Sequence, residues 1–514
     1  MLGFISRNRS DHPMADEKGA KEFLAELPTQ DTFKTLQEIA FWLDTTRTSD
    51  GLKPQRSYEI IDQLDHAAKP HQRKLSQEYL AGGVRLPRFQ EQRIWTAVVE
   101  FWRQLGAAYE FCLAQTLPGV SGSGALKPLS ATIASRAIRA LTLEVKWGFM
   151  RYGSLDPTLW GRLAALYSQA EAGGFALKDC TVYPGPFSES TVRREYLKGL
   201  MLAMSATDSL LPLKLELAER LVAQFSELFV MRGEPTPDCN FCVDLQAAKP
   251  PARMVARVTS APSVRYFGPG NSEATIEKLI RSITDSGAIP SNINLGGNYE
   301  PSLVVEVLRH LARYWSASPP SRQQERKRTL ARIHVVHAFD DVLSIISGES
   351  KDLDFQQNIE TWTVENESGS GFGAIIQQSA TDWLRVGTLL GIRREDGNAW
   401  SVAIVRRLTN DANQQRYVGI ETLAKGGTRV KLYSMGAKGA SEAKGDDALL
   451  LPSSADDSSA KGELSILMRM GTFSPRHSIQ MRAYERDYLL MPKQLLEGGE
   501  DFDMAKFKVL QRAA

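Results

Sequence analysis

The sequence of 514 residues is poor in cysteine and histidine and has no surplus of charge of either sign. Four cysteines are too few and too scattered for a disulfide framework. Cys239 and Cys242 form a Cys-x-x-Cys pair, but Cys112 and Cys180 are single and distant. No Cys or His pair supplies the second half of a zinc site, so the cysteines are expected to be small buried thiols. Seven histidines are dispersed along the chain. His334 and His337, on one strand, are expected to pack or face solvent. No Ser/His/Asp set and no paired carboxylates in a plausible pocket emerge, so nothing calls for catalysis or a cofactor. The 62 basic residues against 60 acidic ones argue against wholesale nucleic-acid binding. No uninterrupted apolar run reaches the ~18 residues of a membrane span. The opening stretch Met1 to Ser10 lacks the apolar centre of a signal peptide, and a cytoplasmic protein is expected.

What is present is ordinary globular composition, 42% hydrophobic and 24% charged, over a length that suggests three or four domains at about 150 residues each. Residues 1–28 are polar and mixed and read as a loose N-terminal arm. Helical periodicity dominates residues 29–231, with segments at about 31–46, 56–80 (broken near Pro70), 88–115, 128–152, 157–172, 190–206 and 212–231. In the third of these Trp95, Val98, Trp102, Leu105, Tyr109 and Cys112 recur at three and four, the mark of a helix–helix seam rather than a ligand pocket. Short loops between helices suggest a repeat-like stack. The glycine-rich Pro118 to Gly124 lacks the Gly-Lys-Ser/Thr ending of a phosphate cradle and reads as a linker.

Residues 232–321 form a mixed or helical connecting region, with helices at 274–286 and 300–316. From 332 the apolar period changes to two. Strands are expected at 332–339, 359–365, 373–378, 386–394, 400–407 and 416–423, a pattern that fits a small antiparallel barrel. Residues 426–514 form a further β-rich extension, either a second barrel or an enlargement of the first. It carries a mobile loop in the acidic, serine-rich stretch 452–459. The fold class is α+β and multidomain.

The stretch 322–373 carries the chemistry. Its start, residues 322–332, holds five basic residues and one acidic residue in a chain that is otherwise nearly neutral. Arg328-Thr-Leu-Ala-Arg332 runs straight into the apolar strand that begins at Ile333. Asn366-Glu-Ser368-Gly-Ser-Gly371 lies between two further strand-like runs. Guanidinium groups pair bidentately with phosphate oxygens and stack on flat rings. A short amide, a hydroxyl and glycines supply polar contacts and a close approach to the backbone. Phosphate, a flat ring and polar base edges together describe a nucleotide.

These two segments resemble the signature of PilZ domains that bind cyclic di-GMP: Arg-x-x-x-Arg before the first strand, then Asp/Asn-x-Ser-x-x-Gly after a following strand. The resemblance covers about residues 325–425 and extends weakly to Tyr417-Val-Gly-Ile-Glu421. The spacer between the motifs is long, which suggests an enlarged first hairpin. A second register, Arg322 with Arg326, competes with Arg328 and Arg332, which are preferred because they abut the strand. The resemblance implies a barrel at 322–425 with an arginine-bearing linker, and cyclic di-GMP as ligand. Arg328 and Arg332 would hold phosphates and stack on guanine, Asn366 and Ser368 would bond a guanine edge, and Gly371 would let the ligand approach. Arg326 and Lys327 are additional candidates.

The function expected is therefore a bacterial cyclic di-GMP receptor. Binding at the linker would reorient the helical part against the barrel and so regulate a protein partner. The alternative is a helical protein-docking scaffold with a degenerate barrel. A single-stranded nucleic-acid reading has only Trp383, Trp400 and Tyr417 to offer as stacking platforms.

Overall fold

The structure, a computed structural model, describes residues 12–82, 86–117, 119–120, 122–153, 155–185, 188–254, 261–318, 327–348, 359–376, 383–411, 415–434, 445–452, 462–483, 486–499 and 501–512. The chain divides into two compact units, residues 1–321 and residues 322–514.

The first unit is mainly helical. Its helices are α1 (Glu17–Glu26), α2 (Thr32–Thr48), α3 (Pro54–Gly82), α4 (Arg88–Ala114), α5 (Ser123–Leu126), α6 (Ser130–Phe149), α7 (Pro157–Ala172), α8 (Val192–Ala203) and α9 (Pro212–Phe225). Two short paired strands, β1 (Cys180–Thr181) and β2 (Glu189–Ser190), separate α7 from α8. Side-chain caps fix several starts. Asp31 accepts from the Lys34 amide at 3.1 Å, and Thr191 accepts from the Arg194 amide at 3.1 Å. The aromatic stripe of α4 faces inward: Val98, Leu105, Tyr109 and Cys112 are fully buried. Half-buried Trp95 donates its indole N–H to the Trp147 carbonyl at 2.8 Å. Some of the polar groups in this core find their partners within it. Buried Asp65 accepts from the Tyr109 and Tyr183 hydroxyls at 2.7 and 2.8 Å, while burial pushes its carboxyl up.

Several expectations need correction here. The arm expected over 1–28 contains α1, because Asp16 caps it at 2.8 Å and Arg56 ties the Met14 and Asp16 carbonyls to α3. Helix α3 runs unbroken through Pro70. Packing is not a stack of sequential pairs: α4 lies against α2, α3 and α6 within one core. Beyond α9 stands a four-stranded antiparallel sheet ordered β3 (Val230–Arg232), β6 (Val264–Gly268), β4 (Phe241–Asp244), β5 (Ala252–Arg253). It was missed because its strands are two to five residues long, too short for a period to show. Buried Cys239 and half-buried Cys242 pack beside Val264 and Tyr266. Helices α10 (Ser272–Ser286) and α11 (Pro301–Trp315) complete the unit.

The second unit consists of two closed six-stranded antiparallel barrels. The first contains β7 (Lys327–His337), β8 (Glu360–Ser368), β9 (Gly371–Ile376), β10 (Leu389–Arg394), β11 (Ser401–Asn410) and β12 (Arg416–Ala424). Around the ring the order is β7-β8-β9-β12-β11-β10. The second contains β13 (Thr428–Ser434), β14 (Asp446–Leu451), β15 (Glu463–Arg469), β16 (Ile479–Ala483), β17 (Arg486–Gly498) and β18 (Phe502–Arg512), ordered β13-β14-β15-β18-β17-β16. Strand for strand the second repeats the topology of the first. Alternate residues point inward, as the pleat requires: Ile333 and Val335, Trp362 and Val364, Val418 and Ile420 are buried.

The long spacer after β7 is not simply an enlarged hairpin, because it includes α12 (Phe339–Ser347). Its Phe339, Val342 and Leu343 join Leu389, Val402 and Ile404 of the first barrel and Leu449, Leu451, Leu467 and Phe502 of the second in one apolar cluster. The chain enters α12 through Ala338 at φ +68°, a conformation L-residues rarely adopt. Asp501 accepts from the Phe339 amide at 2.8 Å and so holds that corner. A bridge from the first barrel to the second is made by Arg406 of β11, which bonds Glu421 of β12 and Glu497 of β17. The mobile loop expected at 452–459 lies, apart from Pro452, outside the described residues.

Candidate functional site

The two motif segments meet at one end of the first barrel. Antiparallel pairing of β7 with β8 sets Arg328 opposite Asn366 and Lys327 opposite Glu367. Pairing of β8 with β9 sets Asn366 opposite Gly373 and Ser368 opposite Gly371. Register shifts occur on both seams, between Arg328 and Ala331 and between Val364 and Asn366. Such irregularities sharpen twist and re-aim side chains where a ladder frays. Arg332 lies four residues further along β7, opposite Thr363 and exposed.

The charges here are open to solvent. Among the described residues neither Lys327 nor Arg328 has a side-chain hydrogen bond, and both are exposed. Arg332 stands 3.9 Å from Glu395, whose amide donates to the Arg332 carbonyl at 3.0 Å. Leu330, between the arginines, is 92% exposed, an apolar side chain with no core to join. The Asn366 amide oxygen is buried without a hydrogen-bond partner. It lies over Gly373, where a Cβ would approach it to 2.4 Å. The Ser368 hydroxyl closes the hairpin by donating to the Gly371 carbonyl at 3.3 Å.

Gly371 is needed for a reason other than ligand access. A Cβ there would lie 2.1 Å from the Ile420 carbonyl oxygen of β12. Strands β9 and β12 touch at this point, and only glycine leaves room. Arg326 lies outside the described residues, as does the alternative register beginning at Arg322.

Sequence reasoning missed the neighbours on β10. Arg394, opposite Ile333, pairs with Glu367 at 2.6 Å and with Asp396 at 3.1 Å, and those bonds push its pKa above the usual value. Arg393 lies with its guanidinium 5.0 Å from the Trp400 ring centre, and its Nε is buried without a partner. The Arg393-Arg394 dyad before Asp396-Gly397 was the signal available. Among the described residues no group of three or more His, Cys, Asp or Glu side chains could hold a metal ion. No described helix is long and apolar enough to cross a membrane.

A closed six-stranded barrel with a basic first strand and an Asn-x-Ser-x-x-Gly hairpin is the architecture of a PilZ domain. Residues 340–428 match the family model for the middle PilZ domain of the cyclic-di-GMP receptor FimW, and residues 18–236 match the model for that receptor's N-terminal domain. The chain belongs to the PilZ-domain cyclic di-GMP receptor family. No curated protein matches the chain. Asn366, Ser368 and Gly371 fall within the matched PilZ range, whereas Lys327, Arg328 and Arg332 precede it.

Proposed function

We propose that this protein is a cytoplasmic bacterial receptor that binds cyclic di-GMP where β7 meets β8. The observation that carries the reading is the register of Arg328 against Asn366, which joins the two motif segments at one barrel end. Arg328 and Arg332 hold the phosphates and stack on guanine, with Lys327 and Arg326 adding positive charge. Guanine presents N–H donors along its pairing edge, and the unpartnered Asn366 oxygen is an acceptor suited to them. Ser368 adds a hydroxyl at the same edge. Gly371 serves the ligand indirectly, by letting β12 close against the hairpin.

Regulation follows from contacts made only when ligand is present. Drawing the basic segment onto a dianionic ligand favours one arrangement of that segment, and a protein partner reads the resulting shift between the helical and barrel parts. Calorimetric titration with cyclic di-GMP of the intact protein, Arg332→Ala and Ser368→Ala tests the reading. Micromolar or tighter binding lost in both variants is expected. No heat with folded intact protein would sink the receptor reading and leave the helical docking scaffold in its place.

A further inference from the structure

The helical unit contains a cleft of about 600 Å³ where α2, α4, α6 and α7 converge, a volume in the range of small-molecule sites. Its walls are charged. Asp44 and Arg47 come from α2, Arg103 and Glu110 from α4, Glu144 from α6 and Arg162 from α7, with Asp156 at the α7 cap.

Most of these charges are already matched. Arg47 bonds Asp44 and reaches the Gln104 side chain at 2.9 Å. Arg162 forks onto Glu110 at 3.1 and 2.5 Å. Arg103 turns to Glu100 at 3.0 and 2.7 Å. Asp156 accepts from the Thr158 amide at 2.9 Å. Glu144 is left over. It is 9% exposed, its Oε2 has no hydrogen-bond partner, and the nearest cation, Arg162 Nη1, is 4.0 Å away. A buried carboxylate without a hydrogen-bonded partner is costly unless something enters to meet it.

We infer that this cleft is a binding site for a small organic cation, an ammonium or guanidinium compound, with Glu144 as its charge partner. An anion would face Asp44, Glu110, Glu144 and Asp156, which outnumber the three arginines of the lining. Among the described residues no group of three or more His, Cys, Asp or Glu side chains is placed to hold a metal ion.

Burial pushes the Glu144 carboxyl up to about 7; Arg162 and Arg103 oppose this, and Glu110 and Asp156 add to it. The folded protein therefore holds this proton more tightly than the unfolded chain. The Glu144 contribution to stability falls as pH rises from the usual 4.5 through about 7.

The test is calorimetric titration of the full chain and of Glu144→Gln with putrescine and with agmatine at pH 8, with thermal melts from pH 4 to pH 8. Saturable binding of at least one probe is expected, weakened about tenfold or more in Glu144→Gln. The melts check the variant itself: it should stay folded and lose the decline in stability between pH 4.5 and 7. No saturable heat with either probe overturns the inference, as does equal binding by the folded variant.

Discussion

The two barrels of the second unit share one strand order but use the positive charge of their first strand differently. In the first barrel Lys327 and Arg328 open β7 with exposed side chains, and the residue facing Arg328 is the amide Asn366. In the second, Arg429 of β13 forks onto Asp447 of β14 at 3.0 and 2.9 Å, and Lys431 reaches the same carboxylate at 2.8 Å. Arg429 and then Lys431 hold the Asp447 carboxyl down to about 2. Asp447 of β14 lies within reach of both cations of β13, which are therefore structural. On β8 the amide Asn366 faces Arg328, and Glu367, opposite Lys327, pairs instead with Arg394, so the charge that opens β7 stays exposed.

Two further positions follow the same division. Strand β9 opens with Gly371 against the β12 backbone, whereas β15 opens with Glu463 opposite Lys508. In the first strands, Leu330 is 92% exposed while Val430 is 2% exposed. At these positions the second barrel packs its residues into its own walls, whereas Leu330 of the first faces outward.

The comparison can be broken most directly by exchanging its central feature. Asn366→Asp gives the first barrel the acid of the second and is expected to weaken cyclic di-GMP binding by about 100-fold in calorimetry, the scale of one or two lost charge-assisted bonds. An unchanged affinity would mean that the facing residue does not decide the matter. Gly371→Ala forces a Cβ against the Ile420 carbonyl and should lower stability in chemical denaturation by ~2–3 kcal/mol. Val430→Ala should cost ~1–2 kcal/mol, while Leu330→Ala should stay within ~0.5 kcal/mol. Equal effects at those two positions would undo the contrast between buried and outward residues.

A small effect is expected at Asp447→Asn, ~0.5–1 kcal/mol at neutral pH for a partly exposed pair. The folded carboxyl lies below its usual 3.8, so this contribution is present above about pH 4 and lost as pH falls through about 2. Melts of the variant and the parent should therefore converge in strong acid.

Much of this unit could be read in the chain. Alternation at Ile333 and Val335 announces a strand that buries one face, and the short apolar run of β11 announces another, buried at Val402, Ala403, Ile404 and Val405 in succession. The arginine and Asn-Ser-Gly segments stand out because their residue types are rare beside apolar runs. Other features are not local and so left no trace. Helix α12 spans nine residues from Phe339 to Ser347 and has no side-chain cap. The facing of Arg328 and Asn366 depends on a register shift that no count of residues reveals. The repeated barrel topology is equally hidden, since its strands share an order and not a motif. In the helical unit, the stripe of α4 was plain, whereas the cleft at Glu144 draws on four helices that only folding brings together.

The apolar cluster around α12 bears on how this protein can be divided. Only Lys425, Gly426 and Gly427 separate β12 from β13, and a boundary there looks natural on paper. Yet Val402 and Ile404 share their cover with Leu449, Leu467 and Phe502. A cut at the glycines would leave each half with an uncovered greasy face, inviting aggregation of either fragment. The pair thus behaves as one folding unit, and neither barrel can be excised without resurfacing the face it shares.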